Sequence, residues 1–351
     1  DAVHNYSNSV IAYDRAHGNT QLLTHWCALL NRQYSLNATL DEMVITAGSS
    51  EALTFALNIC CDVGDEVLVF SPTYANYTGF ATMAGVTLKP VECVFDNNFH
   101  ILNLRSTFNR SITHKTRAVL VCNPNNPTGT TLTPYELEML ISVCEQHNMF
   151  LIVDEVYREF VYQTKPMCVF EYAPKHQNII VVDSLSKRYS LCGARVGCLL
   201  TWNKAVHTAA VNFASTRVSA PVIEQVAAAH MLNTMNDSYL LDAVCEYHRR
   251  RDVLVAALKN IPNVEVSTPE GGFYTLVKLP VADTADFAQY MLQDFSINNE
   301  TVFIAPAHSF YINCAETPTC YVRIAFVLST DALTRAAHIL EHALQAYTCR
   351  H

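Results

Sequence analysis

Six short runs rich in Val, Ile and Leu, at residues 44–46, 66–70, 118–122, 150–153, 179–182 and 196–200, leave this chain few ways to fold. None alternates apolar with polar residues, so each strand is expected to be covered on both faces. Amphipathic stretches separate most of them, and strands that alternate with helices build a parallel sheet with helices on both sides. The clearest helix start is Thr133-Pro134-Tyr135-Glu136, which combines an N-cap, a first-turn proline and a capping box. The pattern predicts an α/β fold with a large, doubly wound, mostly parallel sheet. A helical region follows over residues 219–258. Beyond it, strands are expected at 264–266, 272–279 and 320–326 and helices at 284–295 and 330–347, which describe a smaller α+β domain. The expected division gives 19–235 to the large domain and 1–18 with 236–351 to the small one.

Ligands of a doubly wound sheet sit at the carboxyl ends of its strands, and those ends are polar here. After the first run comes Ala47-Gly48-Ser49-Ser50-Glu51, a small-residue turn opening a helix. Its free backbone N–H groups and helix dipole suit a phosphate. After the second comes Ser71-Pro72-Thr73-Tyr74, which offers an aromatic face. The third leads into Asn123-Pro124-Asn125-Asn126-Pro127-Thr128-Gly129, a rigid turn, and the fourth into Asp154-Glu155-Val156-Tyr157. An aspartate at a buried strand end is costly unless it meets a cation. The fifth run ends in Ser184-Leu185-Ser186-Lys187, with Arg195 eight positions further on. A lysine amine forms a Schiff base with an aldehyde, while hydroxyls and a forked guanidinium suit a phosphate. Aldehyde plus phosphate describes pyridoxal phosphate. Taken singly, Tyr74 and Tyr157 serve equally as core aromatics, Asp154 as an N-cap and Arg323 as a strand-edge surface residue.

In order, N-P-x-N-P-T-G, D-E-x-Y and S-x-S-K-x(7)-R make the chain resemble the fold-type I pyridoxal-phosphate enzymes, specifically the class I/II aminotransferases that include aspartate aminotransferase. The likeness spans about residues 10–347. It implies that Lys187 is the Schiff-base lysine and the acid/base of the proton shuttle, and that Asp154 pairs with the pyridine nitrogen. It implies that Tyr157 and Asn126 bond the ring's phenolic oxygen and that Tyr74 stacks on the ring. Gly48, Ser49, Ser50, Ser184 and Arg195 would hold the phosphate. Arg323, in Tyr321-Val322-Arg323-Ile324, would bind the substrate α-carboxylate together with Asn126. Tyr13, separated from Gly18 by four residues, would reach the phosphate of a neighbouring subunit, so a homodimer with shared sites is implied. The resemblance thus implies transfer of an amino group from an L-amino acid, aspartate favoured, to a 2-oxo acid such as 2-oxoglutarate. Aromatic, alanine and histidinol-phosphate aminotransferases, a β-lyase and a non-catalytic cofactor-binding regulator or interaction protein are the alternatives. No motif supplies a second cation for a dicarboxylate; Arg15 is the one candidate named. Pro306-Ala307 stands where the family has Pro-Gly, and Arg158 and Arg188 are assigned to solvent or an interface.

A net charge of −9 argues against a nucleic-acid footprint, and His248-Arg249-Arg250-Arg251 is expected on a solvated helix face. Thirteen cysteines without C-x-x-C spacing suit free thiols in a reducing, cytoplasmic setting rather than a zinc or disulfide framework. Six N-x-S/T sequons, Asn299-Glu300-Thr301 among them, are taken as chance because neither a signal peptide nor a membrane-length apolar run is seen. His338-Ile339-Leu340-Glu341-His342 has the spacing of inverted zinc peptidases. It lies on an amphipathic helix with no third ligand in view, so ordinary packing and no metal are expected.

Overall fold

The computed structural model describes residues 10–162, 168–236, 238–312 and 318–348. Its first sheet has seven strands: β1 (Met43–Thr46), β2 (Glu66–Ser71), β3 (Thr87–Glu92), β4 (Thr116–Cys122), β5 (Phe150–Asp154), β6 (Ile179–Ser184) and β7 (Gly197–Leu200). Across the sheet they run β1-β7-β6-β5-β4-β2-β3. The five from β6 to β3 are parallel, and β7 lies antiparallel to both of its neighbours. Successive residues of each inner strand enter opposite cores. Val119 and Val121 of β4 pack with Leu22, Trp26 and Leu140 on one side. Ala118 and Leu120 pack with Leu53, Ala56 and Ile152 on the other. This double burial removes the alternation from the sequence, and each such Val or Leu contributes roughly 1.5–3 kcal/mol.

Six of the seven strands coincide with the predicted runs; β3 was missed. It is the sheet edge, buries only Leu88 and Val91, and carries Pro90, which an edge tolerates because it need not donate to a ladder. The capping box on Thr133 and Glu136 opens helix Pro134–Gln146 as expected. The region 219–258 divides into two helices, Val222–Thr234 and Ser238–Lys259.

A second, antiparallel sheet has the order β10-β11-β9-β8 and consists of β8 (Glu265–Val266), β9 (Tyr274–Lys278), β10 (Ala305–Pro306) and β11 (Tyr321–Ala325). Val277, Val322, Leu254, Phe287 and Leu340 form its core with helices Ser238–Lys259, Thr284–Gln293 and Thr330–Thr348. The two sheets meet where loop 123–130 touches loop 268–272. Gly129 has φ +72°, and a Cβ there would fall 2.3 Å from Pro269 Cβ and 2.8 Å from the Gly271 carbonyl oxygen. Only glycine lets the two backbones bond, with the Gly129 carbonyl accepting from the N–H groups of Glu270 (2.9 Å) and Gly271 (2.8 Å).

Beside this join, His100 stands between Glu136 (2.9 Å) and Glu270 (3.3 Å). Hydrogen bonds to the two carboxylates raise its pKa from 6.5 to about 10. A pKa raised on folding stabilises fully below the unfolded value and is lost as pH rises through the folded one. His100→Gln is therefore expected to lower stability by about 2 kcal/mol at pH 6. The gap to wild type should close between pH 6.5 and about 10, measured as paired denaturant midpoints. A gap unchanged at pH 10.5, roughly past that titration, would contradict the charged clamp.

Candidate active site

Four parallel strands deliver their C-terminal residues to one edge of the first sheet. Asp154, the last residue of β5, is buried. Its Oδ2 accepts the Tyr77 hydroxyl proton at 2.9 Å, and its Oδ1 accepts the N–H of Val156 at 3.3 Å. Burial lifts the carboxyl from 3.8 to about 6. A neighbouring cation would reverse that shift and hold the group ionised. Tyr77 comes from helix Asn76–Ala84, is wholly buried, and packs edge-on to Tyr74 with ring centroids 5.5 Å apart. Sequence reading missed it. Its signal was a second tyrosine three residues after Tyr74, since a buried phenol needs a polar partner.

Lys187 sits on a single helical turn, Leu185–Arg188, directly after β6. The turn is capped by Ser184, whose hydroxyl accepts the N–H of Ser186 (3.1 Å) and lies within bonding distance of Ser186 Oγ (2.8 Å) and the Val196 carbonyl (3.1 Å). Ser184, expected at the phosphate, is thus fully buried and engaged locally. Lys187 Nζ lies 5.7 Å from the centre of the Tyr157 ring, and among the described residues no hydrogen bond restrains it. Tyr157 is buried, and burial pushes its phenol well above the ordinary range. Its hydroxyl lies 3.4 Å from that of Tyr274 on β9.

Gly48 opens helix Ser49–Cys60 with φ +76° and no side-chain cap, so the first-turn N–H groups of Ser49 and Ser50 keep their bonding capacity for a ligand. Arg195 donates to the carbonyls of Cys192 (2.9 Å) and Ala47 (3.4 Å) and packs on Gly48 so closely that a Cβ there would lie 2.3 Å from Nη2. Gly197 closes the corner, since its Cβ would fall 2.4 Å from the Gly48 carbonyl carbon.

The second sheet contributes Arg323 on β11. Its Nη1 donates to Asn126 Oδ1 at 3.1 Å, and its guanidinium lies between the rings of Tyr274 (4.4 Å) and Phe310 (4.7 Å). Phe310 comes from the turn after Pro306-Ala307, where Ala307 is fully buried. The Phe310 carbonyl accepts the N–H of Thr73 at 2.8 Å and so ties this turn to the one carrying Tyr74. Neither Phe310 nor Tyr274 was foreseen. Tyr13 is 80% exposed on the N-terminal stretch. Among the described residues no hydrogen bond, ion pair or ring contact joins Tyr13 or Arg15 to this cluster within the chain.

Arg158 and Arg188 correct an expectation: both are 1% exposed, neither in solvent nor on a surface. Beneath the strand ends, Arg158 pairs with Glu159 (3.1 Å), Asp183 (3.2 Å) and Glu155 (3.7 Å) and is faced by the rings of Tyr34 and Phe170. Arg188 pairs with Asp183 and, at 3.4 Å, with Glu159. Burial raises the Glu155 carboxyl to about 7. Burial thus works against the charged form of Glu155, while Arg158 beside it favours that form. Charges at strand ends read as surface groups because a linear pattern does not show which opposite charges fold against them.

The corner at Gly48 fits a phosphate: it has uncapped helix N–H groups, an arginine and no room for a side chain. Asp154 fits a protonated ring nitrogen, Lys187 an aldehyde carbon, and Arg323 with Asn126 a carboxylate. Together with the mostly parallel sheet they define a fold-type I pyridoxal-phosphate enzyme. The chain belongs to the aminotransferase class I and II family, which it matches over residues 4–340, and it is a pyridoxal-phosphate-dependent aminotransferase. It is 29% identical over 329 residues to the aspartate aminotransferase of Sulfolobus acidocaldarius, covering 92% of this chain and 80% of that protein. The solved aspartate aminotransferase of Thermotoga maritima superposes with a TM-score of 0.87 at 29% identity, over 98% of this chain and 87% of that one. An alanine aminotransferase from Pyrococcus furiosus superposes with a TM-score of 0.85 at 25% identity, over 95% and 84%.

Proposed function

We propose that the chain transfers the amino group of L-aspartate to a 2-oxo acid such as 2-oxoglutarate, with Lys187 as the Schiff-base lysine and proton carrier. The observation that carries this is the bond from Arg323 of the second sheet to Asn126 of the first, together with the contact of the Tyr157 hydroxyl with Tyr274, whose ring faces Arg323, and Lys187 beside the Tyr157 ring. Aspartate is favoured because relatives of that name match nearly the whole chain.

Bound pyridoxal phosphate supplies an aldehyde carbon for the amino group and a ring that stabilises negative charge at Cα. Arg323 binds the α-carboxylate through two parallel N–H bonds, with Asn126 and the flanking rings fixing the plane of its guanidinium. The Lys187 amine would take the Cα proton and carry it, a movement its unrestrained chain permits. Asp154 would keep the ring nitrogen protonated. Tyr157 would offer its hydroxyl to the phenolic oxygen, and the 48–50 turn with Arg195 would hold the phosphate. Tyr74 would cover the ring. We place Tyr13 at the phosphate of a second subunit, because its exposure beside exposed Val10 and Ile11 suits a homodimer contact. The free thiols among the described residues, several of them buried, support a cytoplasmic setting, and no described helix is long and apolar enough to cross a membrane.

Titrating the holoenzyme with each common amino acid and following the visible cofactor band tests the donor. Fastest loss with aspartate is expected; preference for alanine or an aromatic residue would reassign the substrate and leave amino transfer intact. Keto-acid release without an acceptor would mark a β-lyase. Arg323→Ala should raise KM for the donor at least about 30-fold, the loss of roughly 2 kcal/mol of charged bonding, with the cofactor band retained. An unchanged KM would remove Arg323 from the substrate site.

A further inference from the structure

The last helix, Thr330–Thr348, buries Leu333, Ala337, Leu340, Ala343 and Leu344 against the second core and turns its other side to solvent. On that side His338 and His342 are exposed and Glu341 is half-buried, with ligand atoms all within 4.8 Å of one another. Residues one turn apart share a helix face, and the two imidazole rings stand 4.2 Å apart at 60°. A second observation sets the chemistry. Nδ1 of His342 lies 2.9 Å from the His338 carbonyl oxygen. A carbonyl only accepts, so Nδ1 is the donor here, and Nε2 is the ring nitrogen left to a ligand. Metal-bound histidines are oriented by this kind of bond from the other ring nitrogen. Among the described residues no hydrogen bond or ion pair engages the Glu341 carboxylate or the His338 ring nitrogens.

We propose that His338, Glu341 and His342 form a zinc site, with water as the fourth ligand. Two imidazoles and one carboxylate match zinc and exclude the all-oxygen preference of magnesium and calcium. Tetrahedral ligands at zinc distances stand roughly 3.4 Å apart, and side-chain rotation of the two exposed histidines and half-buried Glu341 closes the remaining gap. The site binds rather than catalyses, since its glutamate lies among the ligands and its open side faces solvent instead of a cleft. Zinc ties two turns of the helix that closes the second core, so binding stabilises the folded chain by mass action. The site does not depend on the reading of the aminotransferase centre.

The test is a zinc titration of the holoenzyme by calorimetry, with equilibrium dialysis for stoichiometry, on wild type and on H338A/H342A. Cys192 and Cys245 are exposed thiols, so the readout is the difference between the two proteins. One more zinc ion per wild-type chain is expected, together with a zinc-dependent rise in melting temperature that the variant lacks. The visible cofactor band, unchanged in the variant, shows that it is folded. E341Q should weaken binding about tenfold or more, the scale of losing one anionic ligand or its support. Equal zinc content in wild type and H338A/H342A, or a wild-type site too weak to measure at millimolar zinc, overturns the proposal.

Discussion

Lys187→Ala is expected to lower amino transfer by at least about 10⁴-fold, the upper range for removing a positioned acid/base, and to abolish the visible band of lysine-bound cofactor. Stability should stay within about 0.5 kcal/mol of wild type. The amine is half-buried, among the described residues no hydrogen bond restrains it, and it lies 5.7 Å from the centre of the Tyr157 ring. The checks are steady-state turnover, an absorption spectrum and a denaturant melt on the same preparation. Substantial turnover with the band intact would remove Lys187 from the chemistry.

The neighbouring residue should behave in the opposite way. Arg188→Met is expected to destabilise the fold by about 3–5 kcal/mol, because a buried acid loses its partner while remaining out of water. Asp183 and Arg188 are each wholly buried, and the Asp183 carboxylate would keep only Arg158 as a charged partner, beside the backbone N–H of Ser184 at 2.7 Å. Replacing both members, as in D183L/R188M, should recover part of the loss, since an apolar pair of similar volume avoids the desolvation of two charges. Urea midpoints at neutral pH check both. A loss under about 1 kcal/mol in the single variant would show that water or movement relieves the charge. Side by side on one helical turn, Lys187 is expected to serve chemistry and Arg188 the fold.

Much of this was legible in the residues. The unalternating runs predicted six of seven strands of the first sheet because double burial leaves that mark directly. Strand ends told where polar groups would gather, and the capping box at Thr133 set a helix start to the residue. Edge strand β3 escaped because half-burial and Pro90 erase the mark. Tyr77, Tyr274 and Phe310 escaped because each acts across a gap of many residues: on Asp154 at 2.9 Å, and on Arg323 at 4.4 and 4.7 Å. The zinc-peptidase spacing in 338–342 was legible too, but its meaning was not. Packing of Leu340 and Leu344 accounts for the apolar face, whereas the tautomer set at His342 shows only in three dimensions.

By itself the sequence determined the order of most elements, the strand ends at which polar groups gather and the residue types offered there, because periodicity and turn chemistry are local properties. Tertiary structure alone decided which charges are hidden and which partners they meet. Arg158, Arg188 and Arg323 look alike in the sequence, yet two neutralise buried carboxylates and one lies between aromatic rings beside Asn126. The fate of a charge depends on what folds against it, and only closing the two sheets on each other supplies that.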